Sequence, residues 1–269
     1  MPHDANARAN AGLNVAVLVS VGRHPLTAGT RRADQDARAV EMALTLENAA
    51  ISLLHAGPAD PERQQALRGY LGMGLDTLDL LEQSADADVI SVLEEEVRHR
   101  APQLILTGSR AEAGEASGAL PFLLAEALGW PIVTSLAAVE KVENGTAVML
   151  QALPRGKRRR LRVRLPALAT VDASAPPARQ SAFGPARRGK FEHQTRPSEV
   201  DEPLSGWQFQ EARKRPKRLK IVKASSARDR FKAAAAKAEG GGGQTLADVT
   251  PEQGAEAIFK LLKEEGVLR

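Results

Sequence analysis

Between residues 13 and 131 the chain alternates short apolar runs with longer amphipathic ones. That alternation restricts the fold more than any other feature. LNVAVLVSVG (13–22), AISLLHAGP (50–58) and PQLILTG (102–108) are dominated by Val, Ile, Leu and Ala, as strands covered on both faces must be. LDTLDLLEQ (75–83) fits a further short strand. Between these runs, DQDARAVEMALTLENA (34–49) repeats Ala39, Met42, Ala43 and Leu46 at helical spacing, with Asp34 or Asp36 as N-cap. PERQQALRGYLGMG (61–74) reads as a helix stopped by glycines, and ADVISVLEEEVRHRA (87–101) as an amphipathic helix. Strand and helix in alternation predict an α/β, Rossmann-like parallel sheet with helices on both faces. Ligands in such folds bind in loops at the carboxyl ends of the strands.

Beyond residue 133 the pattern changes. Asn144–Gly145 separates two alternating runs and predicts a hairpin. RGKRRRLRVRLPALATVD (155–172) reads as one more strand, with Arg160, Arg162 and Arg164 outward and Leu161, Val163 and Leu165 on the partner face. A Pro-rich stretch, Ser174–Glu192, is expected to end the compact domain, which is placed at 13–192. Residues 193–249 are polar and basic, with four glycines at Gly240–Gly243, and read as an extended arm or linker. In 250–269, Thr250, Pro251 and Gln253 make a capping-box start, Gly266 a stop, and Ile258, Leu261 and Leu262 one apolar stripe. A lone helix this short is marginal in water, so its stripe needs a cover, its own domain or another subunit.

Charge divides the chain. Residues 1–150 carry 11 Lys and Arg against 20 Asp and Glu, whereas residues 151–269 carry 26 against 13. The basic half holds two clusters, seven cations in Arg155–Arg164 and the run RKRPKRLK (213–220). The first suits an acidic partner or a cofactor phosphate, since like charges this dense repel unless opposed, with a solvated outer strand as the plain alternative; the second reads as a subunit contact or a solvated arm. A nucleic-acid reading lacks an aromatic stacking set and a groove-reading helix, and is not expected. The chain has no cysteine, which excludes disulfides, thiolate metal sites and thiol nucleophiles. Five scattered histidines show no metal-ligand spacing, and no Ser lies in a nucleophile elbow. No bond chemistry is expected from this chain alone. No run approaches the roughly 20 apolar residues of a membrane span, and the polar first dozen residues lack a secretory core, so a soluble, cytoplasmic protein is expected.

The loop after PQLILTG is the most informative site signal. TGSRAEAGEASGALPFLLAEALGWP (107–131) inserts eleven small, charged or Gly residues between a buried strand and an apolar helix. A helix N-terminus there offers unpaired N–H groups and a positive dipole end. Ser117 can donate a hydroxyl and Gly118 an unshielded N–H, which suits a phosphate. The plain alternative is a connecting loop whose Ser117 caps the helix. Glu112 and Glu115 read as solvated or turned away from the phosphates rather than as a catalytic acid pair, and Trp130 as core packing at the end of the helix.

These motifs, in this order, resemble the β subunit of electron transfer flavoproteins. VAVLVSVGRHP resembles that family's opening strand, ARAVEMALTL its first helix, and HAGPADPERQQALRGYLGMGLDTL its Ser-x-Gly-Pro turn and following helix. LPALATVD, ARRGKFE and KLLKEEGVL resemble its Leu-Pro-Ala-Val-Val-Thr segment, basic tail and closing helix. The resemblance covers about residues 13–192 and the last twenty. It implies a heterodimer with an α subunit carrying FAD, and AMP in this chain, usually structural, with FAD there instead in some relatives. It implies electrons taken from a flavin dehydrogenase, of acyl-CoA or N-methyl amino acid type, in a transient or stable complex, and passed to a membrane quinone reductase. By the same resemblance the cofactor contacts fall on Ser20; on Ala33, Asp34 and Asp36; on Ala56 and Gly57; and on the loop from Gly108 through Ser109, Arg110 and Ala111 to Glu115, Ala116, Ser117 and Gly118. The family's Asn-Gln-Thr-Gly stands here as Glu115–Ala116–Ser117–Gly118, so main-chain amides must do more. Its docking loop becomes residues 175–184, with Phe183 as the remaining apolar anchor. The other reading is a stand-alone adenine-nucleotide-binding regulatory module.

Overall fold

The computed structural model describes residues 12–114, 116–197, 199–208, 210, 226, 228, 246–247 and 249–264. Two compact units divide the chain, Met1–Trp207 and Gln208–Arg269. In the first, β1 (Leu13–Leu18), β2 (Val21–Arg23), β3 (Thr30–Arg32) and α1 (Asp34–Leu44) lead to β4 (Ala49–Gly57), α2 (Pro61–Leu71) and β5 (Thr77–Glu82). Then come α3 (Val89–Arg100), β6 (Leu104–Gly108), α4 (Leu120–Leu128), β7 (Ile132–Glu143), β8 (Thr146–Ala152), β9 (Arg158–Arg164) and β10 (Ala167–Val171). The unit closes with α5 (Phe183–Arg188), β11 (Lys190–Thr195) and α6 (Glu202–Ser205).

Nine strands form one sheet in the order β11-β5-β4-β1-β6-β10-β7-β8-β9. Those from β11 to β7 pair in parallel, and β8 and β9 add an antiparallel edge. Strand alternation sorts the core into two layers. Val15, Val17, Leu104 and Leu106 pack in one layer with Ala37 and Val40 of α1 and Leu67 and Tyr70 of α2. Ala16, Leu18 and Ile105 pack in the other with Val92 and Leu93 of α3 and Leu124 and Leu128 of α4, where Trp130 also lies. Burying both faces is why these strands lack a polar side, each large side chain adding roughly 1.5–3 kcal/mol.

The structure departs from the sequence expectation in four places. The first strand stops at Leu18; Val21–Arg23 leaves the sheet and pairs with Thr30–Arg32 as an antiparallel ribbon. Ala33, not Asp34 or Asp36, is the N-cap of α1, because Asp36 is already inside the helix and turns its carboxylate inward. Residues 158–171 are two strands rather than one: β9 lies at the sheet edge, whereas β10 lies between β6 and β7. The alternation expected in β9 does hold, with Arg160, Arg162 and Arg164 exposed and Leu161 and Val163 against the core. Finally, the Pro-rich stretch contains α5 and leads into β11, so the boundary expected at residue 192 falls inside a sheet strand. An edge strand needs one covered face at most, and Phe191 alone of its apolar residues packs on the core.

The hairpin forms as expected, Asn144 and Gly145 both having positive φ, 49° and 69°. In the second unit, α7 (Pro251–Glu264) opens with the expected capping box: the Thr250 N–H donates to Gln253 Oε1 (3.1 Å) and the Gln253 N–H to Thr250 Oγ1 (3.4 Å). Ile258, Phe259 and Leu261 are exposed. Gly240–Gly243, Gly266 and the cluster Arg213–Lys220 lie outside the described residues.

Candidate functional site

The chain passes from β1 through α1 to β4 on one side, while β6 flanks β1 on the other. The loops after β1 and β6 therefore diverge and open a cleft at a topological switch point. Ser20, Asp36, Ala56, Gly108 and the loop residues Arg110, Ala111, Ala116, Ser117 and Gly118 share its wall. Leu54, Val89, Leu93, Leu120 and Pro121 supply its apolar part.

Asp36 ties the two strand ends together. Its Oδ2 accepts from the Ser20 N–H at 2.7 Å and from the Ser20 hydroxyl at 2.5 Å; its Oδ1 accepts from the Gly108 N–H at 2.9 Å. A Cβ on Gly108 would lie 2.3 Å from Oδ1, so only Gly allows this approach. Burial raises the Asp36 carboxyl to about 6, against the pull of the Ser20 and Gly108 donors. Asp36 and Ser20 thus hold the cleft's floor through each other.

Tyr70 supports the same corner. Its hydroxyl donates to the Ser20 carbonyl (2.7 Å) and accepts from the Ala33 N–H (2.8 Å), and the ring is fully buried. Tyr70→Phe keeps the ring but leaves two main-chain groups unpaired. We expect a loss of about 1–3 kcal/mol in urea unfolding; an unchanged midpoint would mean that other partners satisfy them.

The loop from Ser109 to Ala119 is shaped by left-handed residues, with φ 75° at Gly114, 53° at Ala116 and 79° at Gly118. A Cβ on Gly118 would come within 2.8 Å of the Ser109 carbonyl oxygen. The Ala119 N–H donates to Ser117 Oγ at 3.0 Å. That is the local contact of the plain connecting-loop reading, yet it leaves the hydroxyl hydrogen free to point elsewhere. Glu112 does not line the cleft and is held by donors from other elements. Its carboxylate accepts from the Asp34 N–H (2.8 Å) and the Arg23 N–H (3.1 Å) and pairs with Arg31 (2.8 Å). It therefore caps α1 from outside and latches the loop to the β2–β3 ribbon.

Four of the expected contacts do not line this cleft. Ala33 is buried under Tyr70, and Asp34 is exposed and paired with Arg38 at 2.9 Å. Ser109 donates through N and Oγ to Gln35 Oε1 (3.0 and 2.5 Å). Gly57 lines an adjoining compartment. Glu115 lies outside the described residues. Sequence reading missed His55, which lines both spaces. Its only signal was a polar side chain at the end of an apolar run. Burial lowers its pKa, Arg63 adding to the effect and the Val19 carbonyl opposing it, so the ring is neutral near pH 7.

The electron transfer flavoprotein domain model matches residues 29–199. The electron transfer flavoprotein subunit beta of Chromohalobacter salexigens is 63% identical over 257 residues, 96% of each chain. The chain belongs to the electron transfer flavoprotein β subunit family. YgcR of Escherichia coli, also named for an electron transfer flavoprotein subunit, is 32% identical over 144 residues, 51% of this chain and 54% of its own.

A β subunit of this flavin-associated family implies an α subunit as partner. Among the described residues no helix is long and apolar enough to cross a membrane. On this electron transfer flavoprotein chain the segment 175–184 is tied to α1. The Arg179 guanidinium makes a bidentate pair with Glu41 (2.8 and 2.9 Å), the Arg179 N–H donates to the same carboxylate, and Arg38 donates to the Ala175 carbonyl. Phe183, 78% exposed, stands at the end of that segment.

Proposed function

We propose that this chain binds an adenine nucleotide, AMP, in the cleft between the ends of β1 and β6, and that it forms a heterodimer with an FAD-carrying α subunit. The heterodimer relays electrons from a flavin dehydrogenase, of acyl-CoA or N-methyl amino acid type, to a membrane quinone reductase. One observation carries the nucleotide reading: a cleft at the switch point whose wall is made of Ala56, Ala111, Ala113, Ala116 and Gly118, beside the N-terminus of α4. Small residues admit a ligand to the main chain, and the helix end favours its anion. Ser117, Gly118 and Arg110 would hold the phosphate, and the apolar wall of Val89, Leu93 and Leu120 the base. The nucleotide supplies no chemistry here beyond filling and bracing the cleft. Asp36, Ser20 and Tyr70 keep that cleft open and position the loop. Phe183 is the proposed anchor for the dehydrogenase, and the exposed stripe of α7 the proposed contact with the α subunit.

A second reading lengthens the ligand. The cleft adjoins a compartment lined by Gly57, Pro58, Arg63 and Asp88 and shares Ser20, His55 and Ala56 with it. That continuity is what favours FAD over AMP in this second reading. Heat release from the co-purified yellow complex, followed by mass identification, separates the two, with AMP the expected product. Recovery of an intact complex that yields no nucleotide would overturn the site.

A further inference from the structure

We propose that His55 reads the base of the bound nucleotide, its Nε2 accepting a hydrogen bond from the exocyclic amine of adenine. The inference rests on the nucleotide reading above and adds to it a residue and a specificity. His55 is near the carboxyl end of β4, 7% exposed, in the wall common to the cleft and the adjoining compartment. Its Nδ1 lies 2.8 Å from the Val19 carbonyl oxygen. A carbonyl only accepts, so Nδ1 carries the proton, and in the neutral ring Nε2 is left as a lone-pair acceptor. That acceptor is buried and has no hydrogen-bond partner among the described residues. An unmet buried acceptor is costly, and a ligand donor would relieve it.

Position selects which donor. β4, β1 and β6 are adjacent strands, so the end of β4 lies two strand spacings, about 10 Å, from the end of β6. With the anionic end of an extended adenylate at Ser117–Gly118, it is the base that reaches β4. Val89, Leu93 and Leu120 give that end of the cleft an apolar wall suited to a flat ring. Adenine presents an amine on its edge there. Guanine and hypoxanthine present a carbonyl, and two facing acceptors repel.

The test uses the complex with the α subunit, freed of nucleotide, and calorimetric titration with AMP, 2′-deoxy-AMP and purine riboside 5′-monophosphate, which lacks the amine. In the unaltered protein AMP should bind about tenfold more tightly than the purine analogue, and 2′-deoxy-AMP nearly as well as AMP. His55→Phe should bring the AMP-to-analogue ratio close to one, and His55→Gln, whose amide oxygen also accepts, should retain part of it. The 15N resonance of Nε2 should shift with AMP and not with the analogue. Equal binding of AMP and the analogue by the unaltered protein overturns the assignment, a result that needs no variant to fold. So does a ratio that survives in His55→Phe. If AMP binds nowhere, the nucleotide reading itself fails and takes this assignment with it.

Discussion

Asp36→Ala should lower the thermal midpoint of the N-terminal unit by about 10 °C. The carboxylate satisfies the Ser20 N–H and hydroxyl and the Gly108 N–H at once, from a position only 3% exposed. Truncation leaves two main-chain donors buried without an acceptor, at roughly 1–3 kcal/mol each. Relief of a buried charge offsets part of this, so the net loss is about 3 kcal/mol, and a unit of this size shifts by roughly 2–4 °C per kcal/mol. Differential scanning of both proteins checks it. A shift under about 2 °C would mean that the β1 and β6 ends do not depend on this side chain.

The same group makes stability depend on pH, in the direction opposite to a salt-bridged carboxylate. Its folded-state pKa is raised from 3.8 to about 6. The folded chain therefore holds this proton more tightly than the unfolded chain. Asp36's contribution is full below about pH 4 and is lost as pH rises through about 6, a loss of at most about 3 kcal/mol. Asp36→Asn does not titrate. Between pH 4 and pH 7 the unaltered protein should lose more stability than the Asn variant by up to that amount. Denaturant unfolding at the two pH values measures the difference, and a constant difference contradicts the assignment.

Gly118→Ala should weaken AMP binding about 100-fold while lowering the stability of the fold by roughly 1–3 kcal/mol. The residue has φ 79°, and a new Cβ would meet the Ser109 carbonyl at 2.8 Å. A left-handed non-Gly residue costs roughly 1–3 kcal/mol, and the clash with main chain forces the loop to move. The amides that would face the phosphate move with it. The packing of β6 and α4 below is untouched, since Gly118 lies in the loop between them. Calorimetric titration and urea unfolding of the same sample separate the two effects. Unchanged affinity would place the phosphate somewhere other than Ser117–Gly118.

The elements most legible in the sequence were those whose pattern is local. β4 and β6 are single apolar runs, α2 stops at glycines, and the hairpin turns on Asn144–Gly145. β11 was not legible. Its residues, KFEHQT, carry one apolar contact, and what makes them a strand is parallel pairing with Thr77–Glu82 more than a hundred residues earlier. The division between β9 and β10 was hidden for a similar reason: both read as alternating or apolar runs, and only their neighbours differ.

In the site, the small-residue loop and Ser117–Gly118 stood out because small residues and a helix start are features of adjacent positions. Asp36, Glu112 and His55 were misread or missed because their partners come from other elements: Ser20 and Gly108 for the first, Asp34, Arg23 and Arg31 for the second, Val19 for the third. By itself the sequence determined the alternation of elements, and with it a doubly covered parallel sheet, because burial on two faces dictates composition residue by residue. Only the tertiary structure decided which carboxylate braces the cleft, which caps a helix, and which imidazole nitrogen is left without a partner among the described residues. Hydrogen bonds between distant segments leave no periodic trace in the chain, and a side chain's role depends on the donors that folding brings within about 3 Å.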